Sequence, residues 1–145
     1  MSSGVDRVFL DANVLFSAAY VPGSRLSELW AFPGVKLVTS DLALEEARRN
    51  LLAYRPEGVA ALAELAARME VVPSVSARPR LPRGVALPNK DLPILAAAIA
   101  VRCTYLLTGD KRHFGALYGR RVGGVRVLTP GEYLRGRKGQ GQVGC

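Results

Sequence analysis

The residues best suited to chemistry in this chain are carboxylates at the borders of apolar runs. Asp11 directly follows Val8 to Leu10, Glu45 and Glu46 sit early in an amphipathic stretch, Asp91 precedes Leu92 and Pro93, and Asp110 follows Gly109. Brought together, such groups repel: two charges about 5 Å apart cost roughly 3 kcal/mol at an effective dielectric of about 20, so the cluster needs compensation. A divalent cation supplies it. Oxygen donors with no His or Cys cluster suit a hard ion, Mg²⁺ or Mn²⁺, rather than zinc. Such an ion activates water and neutralises a phosphoryl oxygen, which is what phosphodiester hydrolysis requires.

Each acid also has a plainer explanation. Asp91 has the form of an N-cap, because its side chain can accept a helix N–H and Pro is welcome in a first turn. Glu45 and Glu46 suit the positive end of a helix dipole. Asp110, after Gly109, suits an ordinary turn. Asp11 is harder to dismiss, since an acid immediately after an apolar run is partly buried and needs a partner.

The elements that must position these acids follow from the hydrophobic pattern. Runs rich in Val, Leu and Phe alternate with longer helical patterns, the signature of a parallel sheet with crossover helices. Strands are expected at Arg7 to Leu10, Lys36 to Thr39, Glu70 to Val72, Tyr105 to Thr108 and Val125 to Leu128. Helices are expected at Asn13 to Tyr20, Ser24 to Ala31, Leu42 to Tyr54, Glu57 to Arg68 and Leu92 to Arg102, with short ones after Asp110 and Pro130. In an open parallel sheet the strand C-termini and helix N-termini share one edge, so all the acids point to that edge. Residues 73–88 hold Pro73, Pro79, Pro82 and Pro88 among Arg78, Arg80 and Arg83, and predict an extended surface connection. Residues 136–145 are Gly-rich without periodicity and predict a flexible tail after a domain spanning 1–135.

The chain of 145 residues, 49% hydrophobic, supports one core and one domain. Its net charge of +8 and pI near 10.1 suit a polyanionic partner. Arg48, Arg49 and Arg112 lie beside the proposed edge and are candidates for positioning a phosphate backbone, against the commoner reading of charge on a solvated face. No signal peptide and no stretch long enough to span a bilayer is visible, so a cytoplasmic protein is expected. Cys103 and Cys145 show neither metal nor disulfide spacing and read as reduced thiols. His113, the single histidine, reads as a surface residue. Trp30 with Leu26, Leu29 and Phe32 reads as core or dimer contact.

Four segments, Val8-Phe-Leu-Asp-Ala-Asn-Val-Leu15, Ser40-Asp-Leu-Ala-Leu-Glu-Glu-Ala47, Lys90-Asp-Leu-Pro-Ile-Leu-Ala-Ala-Ala98 and Tyr105-Leu-Leu-Thr-Gly-Asp-Lys111, resemble in order the acidic motifs of PIN domains. The similarity extends to about Leu134. The resemblance implies a single-domain three-layer α/β/α sandwich with a central, mainly parallel sheet. It also implies that Asp11, Glu46, Asp91 and Asp110 bind Mg²⁺ or Mn²⁺ and orient water for attack on an RNA phosphodiester, leaving 5′-phosphate and 3′-hydroxyl ends. Asn13 and Thr108 match polar positions that support the metal site. Many relatives resemble VapC, the toxin of a toxin–antitoxin pair, which implies an antitoxin partner and a homodimer. Glu45 and Glu46 are turned about 100° apart on a helix, so one of them faces the metal, and Glu46 fits the family spacing from Ser40 better. Asn89 lies where some relatives carry an additional acid.

On this reading Asp11, Asp91 and Asp110 hold the main ion and Glu46 orients water or a second ion. Two alternatives stand beside it. One is a catalytically silent PIN-fold module binding RNA or protein. The other is a haloacid-dehalogenase-like phosphatase, whose second Asp would have to stand where Asn13 does, and an amide cannot act as a general acid.

Overall fold

The computed structural model describes residues 5–143, with side chains described through residue 137. Five strands run parallel: β1 (Asp6–Leu10), β2 (Val35–Ser40), β3 (Glu70–Val72), β4 (Tyr105–Leu107) and β6 (Val125–Leu128). A two-residue strand, β5 (Arg121–Val122), pairs antiparallel with β6, and the sheet order is β3-β2-β1-β4-β6-β5. Sequence periodicity missed β5 because two residues cannot display an alternation. Its hairpin is closed by Gly123 and Gly124, both at positive φ (57° and 88°), as a tight turn compatible with strand twist demands. A Cβ at Gly123 would also stand 2.9 Å from Ile99 Cδ1, so the Ile99 side chain would have to shift to admit one.

Helices α1 (Ala12–Tyr20), α2 (Asp41–Tyr54) and α3 (Gly58–Ala67) pack on one another over one face. α2 does so through Ala43, Ala47 and Leu51, one stripe at i, i+4, i+8. The chain then returns from edge strand β3 past β1 to β4, so a right-handed crossover puts α4 (Leu92–Ala100) on the opposite face. α4 is almost wholly apolar and buries Leu92, Ile94, Leu95, Ala96, Ala97 and Ala98, packing on β2 and β4. The result is the expected α/β/α arrangement. The connection over residues 73–91 forms no helix or strand, as its prolines indicated.

Arg25–Trp30 is a 3₁₀ helix rather than the α-helix expected over Ser24 to Ala31; Leu29 is buried and Trp30 Nε1 donates to the Leu65 carbonyl at 3.1 Å. After α5 (Lys111–Phe114) and β6, the last helix α6 runs Pro130–Val143, carrying helical backbone through a Gly-rich stretch whose composition suggested none. A reciprocal cap starts it: Glu132 N–H donates to Thr129 Oγ1 at 3.0 Å and Thr129 N–H to Glu132 Oε1 at 2.9 Å. Arg137 then ties it down by donating to the Pro33 carbonyl at 2.7 Å, pairing with Asp6 at 3.5 Å and lying over the Phe32 ring. Cys103 is buried, and burial pushes its thiol up to about 12, as suits an inert residue; Cys145 lies outside the described residues. Among the described residues no helix is long and apolar enough to cross a membrane.

Candidate metal centre

The strand order reverses around β1. β2 and β3 lie to one side of it, β4 and β6 to the other, and such a switch point opens a crevice at the strand C-termini. Leu10 is registered against Leu107, so Asp11 and Thr108 leave the sheet side by side, with Asp11 N–H donating to the Leu107 carbonyl at 3.1 Å.

Asp11 is 6% exposed and heavily hydrogen-bonded. Its Oδ1 accepts the Ala12 N–H at 2.7 Å, which makes it the N-cap of α1. Its Oδ2 accepts the Thr108 hydroxyl at 2.9 Å and the Asn13 amide at 3.2 Å. The same Asn13 reaches across to the β4 loop, where its Oδ1 accepts Gly109 N–H at 2.7 Å. Thr108 Oγ1 in turn accepts Asp110 N–H at 3.1 Å. Asn13 and Thr108 therefore lock the loop bearing Asp110 against the end of β1. With its amide committed to this bracket, Asn13 has no part to play as an acid of the phosphatase kind.

Asp110 caps the short α5 by accepting His113 N–H on Oδ1 at 3.1 Å. Its other oxygen, Oδ2, lies 2.9 Å from His113 Nδ1, and the same nitrogen lies 2.9 Å from Asp91 Oδ2. Asp91 occupies the N-cap position of α4 yet makes no side-chain cap, so the plain explanation from sequence does not hold and its carboxylate turns into the cluster. His113, read from sequence as a surface residue, is instead a member of this cluster. Its spacing of three residues after Asp110, one helical turn, was the signal that could have found it. The donors gathered here are consequently not oxygen alone.

Glu46 lines a cleft of about 480 Å³ with Asn13, Gly109, Asp110 and Pro130. Glu45 points elsewhere and is held by Arg48, whose Nε and Nη2 donate to its two oxygens at 2.9 and 2.6 Å. Both residues line an apolar groove between α2 and α3. Arg48 is thus occupied away from the acids, whereas Arg49 and Arg112 are exposed on α2 and α5. Asn89 is exposed beside the exposed Lys90.

The electrostatics show a site short of positive charge. Burial pushes the Asp11 carboxyl up to about 6, against the pull of the Thr108 and Ala12 hydrogen bonds and with a further push from Glu46 and Asp91. Asp91 is raised as well, mainly by burial and also by Asp110, while His113 and Lys90 act in the other direction. Asp91 Oδ2 and His113 Nδ1 are both shielded from solvent and, despite their separation of 2.9 Å, neither makes a directed hydrogen bond. A cation between them would satisfy both orphaned atoms. Asp91, Asp110 and His113 each offer a donor atom within 4.8 Å of the others, so the residues present fit a divalent ion.

The PIN domain family matches residues 7–112, a segment that contains all four acids. The chain belongs to the PIN-domain family. No significant match was found among curated proteins. Among solved structures, this PIN domain is similar to VapBC2 of Rickettsia felis bound to a DNA fragment from its promoter (TM-score 0.57, 17% identity, 85% of this chain and 98% of that one). It is also similar to VapC20 of Mycobacterium tuberculosis, a Sarcin-Ricin loop cleaving toxin (TM-score 0.56, 14% identity, 75% and 94%). A third similar structure is VapBC-1 of nontypeable Haemophilus influenzae (TM-score 0.53, 15% identity, 86% and 98%). At these identities the comparison establishes that the PIN domain has the fold of VapC proteins.

Proposed function

We propose that this PIN domain is a cytoplasmic, Mg²⁺- or Mn²⁺-dependent endoribonuclease, the toxin component of a toxin–antitoxin pair. The observation that carries the nuclease reading is the cluster of Asp91, Asp110 and His113 near a buried Asp11 that is short of a counter-charge and feels the charge of Glu46 and Asp91. Asp91 and Asp110, with Asp11 directly or through water, would hold a divalent cation, which would supply positive charge to a phosphodiester transition state and make water a better nucleophile at neutral pH. Thr108 and Asn13 fix the Asp11 carboxylate through its Oδ2, so its orientation is set before substrate arrives. Glu46, facing the open cleft rather than the protein interior, is placed to accept a proton from the attacking water and to orient it. Arg49 and Arg112, exposed on α2 and α5, are suited to hold the RNA backbone, and the net charge of +8 draws a polyanion toward them.

The toxin reading is supported by the fold shared with VapC proteins, two of them from VapBC structures and one a Sarcin-Ricin loop cleaving toxin. It brings with it a separately encoded antitoxin and a homodimer as proposed partners.

The test is incubation of the purified protein and Asp11→Asn with mixed structured RNAs in Mn²⁺, Mg²⁺ or EDTA, followed by mapping of new ends. Cleavage that needs metal, leaves 5′-phosphates and disappears in the variant is expected. Metal-independent cleavage, or cleavage retained by Asp11→Asn, refutes the assignment.

A further inference from the structure

We propose that His113 supplies a nitrogen ligand to the cation held between Asp91 and Asp110, giving a mixed nitrogen and oxygen site that selects Mn²⁺ over Mg²⁺. The inference rests on the metal-site reading above and deepens it.

The geometry is that of donors arranged around a shared point. Nδ1 lies 2.9 Å from Asp91 Oδ2 and 2.9 Å from Asp110 Oδ2. Neighbouring donors of an octahedral ion with bonds of about 2.1 Å are separated by about 3.0 Å, so these spacings suit atoms sharing one ion. The same distances suit an imidazolium lying between two carboxylates, so what favours a ligand is the aim of the ring nitrogen. Here no directed hydrogen bond joins Nδ1 to either oxygen, and Nδ1 and Asp91 Oδ2 are both buried without such a partner. Asp91 is 8% exposed, so little of its carboxylate meets bulk solvent. The loop also prepares the arrangement: the backbone N–H of His113 holds Asp110 Oδ1, which turns Oδ2 of the same carboxylate toward the imidazole.

Ion preference follows from the donors. Mg²⁺ demands oxygen ligands and gives up water reluctantly, whereas Mn²⁺, which also suits carboxylate and water, belongs to the first-row series whose members accept a nitrogen donor. A site offering one nitrogen beside carboxylates therefore favours Mn²⁺. The sequence contains one histidine, so an imidazole signal from the bound ion has one source.

The experiment uses the full chain, freed of any affinity tag. Mn²⁺ is added, nitrogen coupling to it is read by pulsed electron paramagnetic resonance, and Mn²⁺ and Mg²⁺ affinities are measured by calorimetry for wild type, His113→Gln and His113→Ala. Directly bound imidazole nitrogen is expected in the wild type and absent from both variants. Loss of the ligand is expected to weaken Mn²⁺ binding by about tenfold or more while Mg²⁺ binding changes much less. Both substitutions leave the backbone N–H that holds Asp110, and circular dichroism checks that the fold persists. Mn²⁺ bound without nitrogen coupling, or variants with an unchanged Mn²⁺ to Mg²⁺ preference, overturns the proposal and leaves the carboxylate site standing. No Mn²⁺ or Mg²⁺ binding by the wild type at millimolar concentration removes both the proposal and the metal reading beneath it.

Discussion

Asp11→Asn tests the physical argument for a cation without any substrate. The folded Asp11 carboxyl is pushed from the ordinary 3.8 to about 6, chiefly by burial. A displacement of about two pK units is worth roughly 3 kcal/mol. The sign runs opposite to that of a salt-bridged acid. Because the folded state holds this proton more tightly than the unfolded chain, the stability it contributes is complete below about pH 4 and is lost as pH rises through about 6. At pH 7 the metal-free protein therefore carries a penalty of roughly 3 kcal/mol that the variant does not. Asparagine returns part of that gain, since the amide presented to Asn13 and Thr108 in place of Oδ2 forfeits about 1 kcal/mol of hydrogen bonding.

The assay is urea unfolding in EDTA at several pH values between 4 and 7.5. The difference between variant and wild type reports Asp11 together with its coupling to Glu46 and Asp91, while the more distant titrating groups cancel. The variant is expected to gain on the wild type as pH rises, by about 3 kcal/mol across the range, and to be the more stable protein at pH 7 by about 2 kcal/mol. Mn²⁺ at about a hundred times its dissociation constant should then restore about 2.7 kcal/mol to the wild type and little to the variant. A difference that stays flat with pH, or moves the other way, means that Asp11 is already compensated by the protein, and the electrostatic case for a cation collapses.

The two adjacent glutamates should separate cleanly: Glu46→Gln is expected to lower metal-dependent cleavage by about tenfold or more, as removal of a general base does, while Glu45→Gln leaves it unchanged. Equal losses in single-turnover assays would show that cleft position does not distinguish them. Asn13→Ala strips a hydrogen bond from Asp11 and the bracket on Gly109, and is expected to cost about 1–3 kcal/mol in urea unfolding together with weaker Mn²⁺ binding in calorimetry. Unchanged metal affinity would deny it a positioning role.

Much of this architecture was legible in local pattern. The strands β1, β2, β3, β4 and β6 carry their own apolar runs, and α2 shows its buried stripe at helical spacing, because burial on one face leaves a period in the sequence. β5 left no such trace, and the helix expected after Pro130 was read as short, because its continuation through the Gly-rich residues has no periodicity and is tied down by Arg137 reaching Pro33 and Asp6 far away in the chain. At the site, the types and order of the acids marked Asp11, Glu46, Asp91 and Asp110 as candidates and tied them to the PIN resemblance. The plain explanations for each could not be weighed from sequence, since a cap and a ligand use the same side chain. Tertiary structure separated them: Asp91 caps nothing, Asp110 caps α5 with one oxygen and leaves the other for the cluster, and Glu45 is taken by Arg48.

The role of His113 illustrates the division. Composition shows a solitary histidine with no partner of its own kind, and from that alone a surface residue is the natural reading. Its relation to Asp91 depends on α4 and α5 meeting at the end of a sheet whose strand order reverses, a contact between residues far apart in sequence and set by the handedness of a crossover. Sequence determined which donors the chain possesses and which elements carry them, because residue type and local periodicity are written in one dimension. Only the fold decided which donors share a point in space, because that depends on how the elements pack.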